Sequence, residues 1–160
     1  MAMNLYFLRH TTPFDGSPDE ERRLTPGGHE EAGRLGSFLV GAGVTFDAAY
    51  SSPLIRAIET AEDVTKLTNA GASLPVTPSD ALRNEASQED FQQWLNSLPP
   101  LDHILLVGHA PKLGERVGVM LGMEQPHAFG LSKGGLACVE TADRLSGGLK
   151  FLVSLKILRD

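Results

Sequence analysis

Two short apolar runs in this chain stop directly on chemistry-bearing residues. Leu5-Tyr6-Phe7-Leu8 ends on Arg9 and His10, and Ile104-Leu105-Leu106-Val107 passes through Gly108 to His109. A run this continuously apolar reads as a strand buried on both faces, the signature of a central strand in a mainly parallel sheet. The intervening segments read as helices. Thr25 is a good N-cap and Pro26 fits a first helical position. Ala32, Leu35, Phe38 and Leu39 then share one face until Gly41 and Gly43 end the helix. A second strand is expected over 46–52, with Ser52 capping a helix opened by Pro53 whose apolar positions include Ile55, Ile58, Val64 and Leu67. A short strand over 74–78 follows, then a helix capped by Ser87, the strand 103–107, and a helix from near Pro111 to near Gly122. In the tail, 134–140 and 149–157 flank a Gly-containing turn. Leu149, Phe151, Val153, Leu155 and Ile157 alternate strictly, which predicts a hairpin at one side of the sheet with one face buried. Strands alternating with helices and mixed strands at the end predict an α/β layered domain over residues 1–160.

The length of 160 residues suits one domain with a full core, and 41% apolar residues is a globular composition. The net charge of −6 argues against a nucleic-acid partner and makes any internal cluster of cations informative. The single cysteine, Cys138, excludes an internal disulfide and reads as a small buried hydrophobe. The first ten residues are too short and too soon charged for a signal peptide, and no apolar run approaches a membrane span. The expectation is a soluble, cytoplasmic protein with no membrane partner.

In open α/β sheets, ligands bind at the carboxyl ends of the strands. Arg9 and His10 stand at the end of the first strand, Arg56 in the first turn of the helix after the second, and His109 just past the strand 103–107. Brought together, they form a pocket of two guanidinium groups and two imidazoles. Arginine forks match phosphate and carboxylate oxygens, and a helix's first turn adds free N–H groups. A phosphoryl group is the better fit, because a carboxylate rarely needs four donors. A neutral imidazole can attack it and form a covalent intermediate, its other ring nitrogen donating to a backbone carbonyl that fixes the tautomer. A metal site from His10 and His109 is disfavoured, since Arg9 would repel a divalent cation and neither HxH nor HExxH occurs. His29, His103 and His127 read as surface or loop residues, and Phe91 and Trp94 as core. The mixed-charge segment 15–23 either borders the pocket or, as such runs more often do, forms a solvated loop.

The ordered set "LRHT", "LTPGG", "SSPLIRAIETA" and "VGHAP" resembles the histidine phosphatase superfamily, in particular its small branch with the SixA-type phosphohistidine phosphatases. The resemblance covers nearly the whole chain. It implies a three-layer α/β/α sandwich with a mostly parallel central sheet, phosphoglycerate mutase-like, and catalysis without metal or other cofactor. It implies that His10 becomes phosphorylated while Arg9, Arg56 and His109 bind the phosphoryl oxygens. Two positions depart from the family pattern. Thr11 replaces the usual Gly, and either narrows the phosphoryl site or adds a hydrogen bond to it. The family's acidic residue falls on Asn84 or shifts to Glu85, with Asp80 a further carboxylate nearby; Glu85 is the candidate acid.

A weak or absent acid has chemical meaning. An alkoxide leaving group needs protonation, worth roughly 10²–10⁴-fold, whereas the imidazole of a phosphohistidine leaves far more readily. The expected activity is therefore removal of phosphate from phosphohistidine on a protein, such as a phosphohistidine carrier domain, through a covalent intermediate. The alternatives are a phosphomonoesterase for a small phosphorylated metabolite and a catalytically silent phosphate-binding module.

Overall fold

The computed structural model describes residues 2–72 and 74–158. Its six strands are β1 (Met3–Arg9), β2 (Ala48–Ser51), β3 (Val76–Pro78), β4 (His103–Gly108), β5 (Leu136–Thr141) and β6 (Gly148–Val153). They form one sheet in the order β3-β2-β4-β1-β5-β6. β1, β2, β3 and β4 run parallel, while β5 lies antiparallel to both β1 and β6. The helices are α1 (Pro26–Gly41), α2 (Ile55–Thr68), α3 (Gln88–Ser97) and α4 (Lys112–Met120). None is long and apolar enough to cross a membrane.

The alternating side chains of β1 divide the core in two. Leu5 and Phe7 face a cluster with Phe91 and Leu95 of α3, Leu113, Val117 and Met120 of α4, and Ile104 and Leu106 of β4. Tyr6 and Leu8 face a second cluster with Ala32, Leu35 and Leu39 of α1, Ala57, Ala61 and Val64 of α2, and Leu105 and Val107. The result is the expected three-layer α/β/α sandwich. Burying each of the large side chains contributes about 1.5–3 kcal/mol, which is why both runs must be apolar throughout. Thr25 caps α1 by accepting the Gly28 N–H at 2.9 Å, and Ser87 caps α3 by accepting from Asp90 at 3.0 Å.

Four expectations need correction. Ser52 does not cap α2, which starts at Ile55 after Leu54. The Ser52 N–H stays with the sheet, donating to the Val107 carbonyl at 3.0 Å. The buried stripe of α2 is made of Ala57, Ala61 and Val64, while Leu67 is exposed. The strict alternation after Leu149 fails because β6 carries a bulge: Cys138 pairs with Phe151 and Val139 with Leu149, leaving Lys150 as the extra residue. That slip turns Leu149 to the face opposite Phe151. The strand ends at Val153, and Ile157 is 71% exposed. His103 is not a loop residue either: it opens β4, with Nδ1 2.9 Å from the Tyr6 hydroxyl.

Candidate active site

The register of β1 on β4 pairs Arg9 with Gly108, so the next residues, His10 and His109, leave the sheet side by side. Their ring centroids are 5.0 Å apart. α1 follows β1 onto one face of the sheet and α4 follows β4 onto the other, which opens a crevice at the strand ends. β2 ends beside β4, with Ser51 opposite Val107, and leads Arg56 to the same place from the first turn of α2. The three strand ends do meet, as their sequence positions predict.

The resulting cleft has a volume of about 290 Å³ and is lined by Arg9, His10, Pro13, Asp15, Arg22, Arg56, Asn84, His109, Ala110 and Lys133. Four of these are cations, and Asp15, an exposed residue, is the one carboxylate. Arg9 donates from Nη1 to the Leu131 carbonyl at 3.0 Å. Arg56 donates from Nη1 to the Asp19 carbonyl at 2.8 Å and from Nη2 to its carboxylate at 3.1 Å. Arg9 Nε, Arg56 Nε and His109 Nδ1 are buried and find no hydrogen-bond partner among the described residues. Buried donors are rarely left unpaired, so a cluster of them marks a place where an anion completes the hydrogen bonding.

His10 Nδ1 donates to the Thr11 carbonyl at 2.7 Å. The ring is thereby held in the tautomer that leaves Nε2 with a free lone pair, the form a nucleophile requires. Burial pushes its pKa down to about 4, reinforced by Arg56, Arg9 and Arg22 against the opposing Thr11 hydrogen bond. His109 is pushed down to about 3, again chiefly by burial and then by His10, Arg56 and Arg9, with Asp19 acting the other way. Both rings are neutral at pH 7. The site combines a neutral nucleophile with fixed cations, an arrangement that can accept a tetrahedral oxyanion and stabilise charge on its oxygens.

The other expected positions fall differently. Thr11 is fully buried and outside the lining. Its hydroxyl donates to the Gly28 carbonyl at 2.9 Å and its N–H donates to the Thr60 hydroxyl at 3.2 Å. Thr60 donates in turn to the Arg56 carbonyl at 2.7 Å, so Thr11 fastens the end of β1 to the turn that carries Arg56. The hydroxyl thus serves the scaffold, not the phosphoryl site. Glu85 is exposed and also outside the lining, whose place is taken by Asn84. Asn84 donates from Nδ2 to the Ala110 carbonyl at 2.7 Å. Asp80 is turned to Arg83 at 2.8 Å.

The segment 15–23 is a wall of the cleft, contributing Asp15 and Arg22. It is fastened by Asp19 to Arg56, Glu20 to Arg83 at 2.6 Å, and Arg23 to Glu59 at 2.8 Å. Asp19, Glu20 and Arg23 of its mixed-charge run are spent on these ties. Lys133 and the contact of Ser52 with His109 carried no sequence signal of their own. Both depend on which strands lie side by side.

The sequence model of the Histidine phosphatase superfamily (branch 1) matches residues 5–96, which include Arg9, His10 and Arg56. A protein of Picosynechococcus, named only as uncharacterised, is 32% identical over 141 residues, 84% of this chain and 82% of that one. The phosphohistidine phosphatase SixA of Escherichia coli is 25% identical over 128 residues, 79% of this chain and 80% of its own. A solved structure of the protein histidine phosphatase SixA complexed with tungstate superimposes with a TM-score of 0.86, covering 98% of this chain and all of the other at 24% identity. With a family match over more than half of the chain that takes in Arg9, His10 and Arg56, the chain belongs to the histidine phosphatase superfamily, branch 1, and is a phosphatase.

Proposed function

We propose that this phosphatase removes the phosphoryl group from phosphohistidine on a protein, through a phosphohistidine formed at His10. His10 Nε2 attacks phosphorus, the P–N bond to the substrate imidazole breaks, and the leaving ring takes its proton from solvent. Water then attacks the phosphorus on His10, releasing inorganic phosphate and restoring the free imidazole. Arg9, Arg56 and His109 hold the phosphoryl oxygens through both steps, and Arg22 and Lys133 add positive charge at the rim.

The observation that carries this reading is what the cleft lacks in its buried wall. An amide, Asn84, stands where an acid would serve an alkoxide leaving group, and Glu85 is outside. A P–N bond to imidazole makes little demand on such an acid. The small cleft also suits a side chain presented by another protein. Asp15 supports a second reading: placed in the lining, it is the carboxylate that a small-molecule phosphomonoesterase would use.

The test is turnover of a phosphorylated histidine-carrier domain and of an alkyl phosphate monoester by wild type, His10→Ala and Asp15→Asn. Fast loss of phosphate from the carrier, slow ester hydrolysis and an inactive His10→Ala variant are expected. Fast ester hydrolysis abolished by Asp15→Asn overturns the reading in favour of the esterase.

A further inference from the structure

A second hollow, of about 350 Å³, adjoins the cleft and is lined by Thr12, Glu31, Arg34, Ser132, Lys133, Leu155 and Lys156. The two share Lys133, and they meet again where Thr12 of the hollow is followed by Pro13 of the cleft. The backbone that carries Lys133 is fixed at this seam, and the side chain is exposed. Ser132 to Gly135 form a turn closed by the Gly135 N–H donating to the Ser132 carbonyl at 2.7 Å, with Gly134 at φ +70°. A positive φ at the third position requires glycine and leaves Lys133 at the corner. The turn is clamped to the end of β1: Gly134 N–H donates to the Arg9 carbonyl and Arg9 N–H to the Gly135 carbonyl, both at 3.0 Å.

The charges here differ from those around the rest of the cleft. Of the cleft's arginines, Arg22 and Arg56 are already paired with a carboxylate, while the buried Arg9 donates to the Leu131 carbonyl. Lys133, Lys156 and Arg34 make no ion pair among the described residues. The one carboxylate in the hollow, Glu31, accepts the Thr12 N–H at 3.0 Å. In a chain of net charge −6 this is a local strip of net positive charge, three cations against one carboxylate, leading out of the catalytic cleft.

We infer that the strip formed by Lys133, Lys156 and Arg34 receives acidic side chains flanking the phosphohistidine of the substrate protein. This rests on the phosphohistidine reading above. Its basis is charge complementarity together with continuity: a chain whose phosphorylated imidazole enters the cleft extends across Lys133 into the hollow. Uncompensated cations beside a site raise the encounter rate of a partner of opposite charge. They also offset the repulsion between an acidic enzyme and an acidic substrate.

The experiment compares three probes: a phosphohistidine peptide with Asp and Glu flanking the modified residue, its Asn and Gln twin, and free phosphohistidine. Each is tested with wild type, Lys156→Glu and Arg34→Gln. Wild type is expected to favour the acidic peptide by roughly tenfold in kcat/KM at low salt. That preference should vanish at about 1 M salt, where screening acts over about 3 Å, and in both variants, while turnover of free phosphohistidine stays unchanged. Equal turnover of the two peptides by wild type, or a preference that survives both substitutions, overturns the inference and leaves the phosphohistidine reading standing. Should wild type hydrolyse an alkyl phosphate but none of the three probes, the phosphohistidine reading fails and the docking strip with it.

Discussion

Ser52 Oγ and His109 Nε2 lie 2.6 Å apart, and both side chains are buried. The contact exists because β2 and β4 are parallel neighbours, so the residues just beyond their ends converge. The Leu54 N–H donates to the same hydroxyl at 3.4 Å, leaving the Ser52 proton free to go to Nε2. His109 then carries its own proton on Nδ1, the buried atom without a partner. Ser52 thus fixes the His109 ring with its N–H on Nδ1, the group that the proposed reaction offers to a phosphoryl oxygen. Ser52→Ala should lower kcat by up to about 10²-fold, the cost of a misplaced catalytic group, with a smaller change in KM and an unchanged circular dichroism spectrum. Unaltered kcat would remove Ser52 from the mechanism.

The depressed histidines make stability depend on pH. With folded values of about 4 and 3 against 6.5 when unfolded, the unfolded chain binds more protons throughout the window between them. Stability is therefore complete above pH 6.5 and is lost as pH falls through that window. At pH 5 each ring accounts for a loss on the order of 2 kcal/mol. Calorimetry at pH 7, 6 and 5 should record a steep fall in Tm for wild type and a shallower one for His10→Ala and His109→Ala. Parallel slopes would contradict the burial argument.

Asn84→Asp would place a carboxyl against the Ala110 carbonyl, which now accepts from the amide at 2.7 Å. Two facing oxygens favour the protonated acid, whose single proton rests on the Ala110 carbonyl and is released to the leaving oxygen when the substrate is bound. Hydrolysis of an alkyl phosphate should rise by about 10²-fold, the lower range for general acid catalysis. Turnover of phosphohistidine should change little. Steady-state rates on both substrates decide it.

Gly28 sits under the chain beside the site. A Cβ there would lie 2.1 Å from the Thr12 carbonyl oxygen, a backbone atom that cannot move aside cheaply. Gly28→Ala should cost about 3 kcal/mol in urea unfolding, near the upper end for point substitutions. Thr11→Ala removes the hydroxyl that donates to the Gly28 carbonyl and should cost about 1–3 kcal/mol by the same measurement.

The unpartnered atoms of Arg9, Arg56 and His109 predict stabilisation by an oxyanion. Tungstate at 100 times its Kd should stabilise wild type by about 2.7 kcal/mol, read as a rise in Tm. Arg56→Gln should abolish most of that rise at the same tungstate concentration.

Much of this molecule is written locally. The continuous apolar runs of β1 and β4, the Thr25 and Ser87 caps and the spacing of α1 each follow from side-chain chemistry within a few residues. That sufficed for the layered α/β class and for the placing of Arg9, His10, Arg56 and His109 at strand and helix ends, with the family resemblance uniting them. What tertiary structure alone decided is relational. Thr11 was free to face the site or the scaffold until packing against Gly28 and Thr60 turned it inward. Asn84 rather than Glu85 reached the cleft because that segment is tied to Ala110 at the start of α4. Lys133 became part of the site because β5 lies antiparallel to β1, bringing the turn before it to the carboxyl end of β1. The alternation in β6 was overruled by one extra residue, Lys150. Propensity and periodicity act along the chain over one turn or one strand, whereas these outcomes depend on which distant segment occupies the neighbouring space.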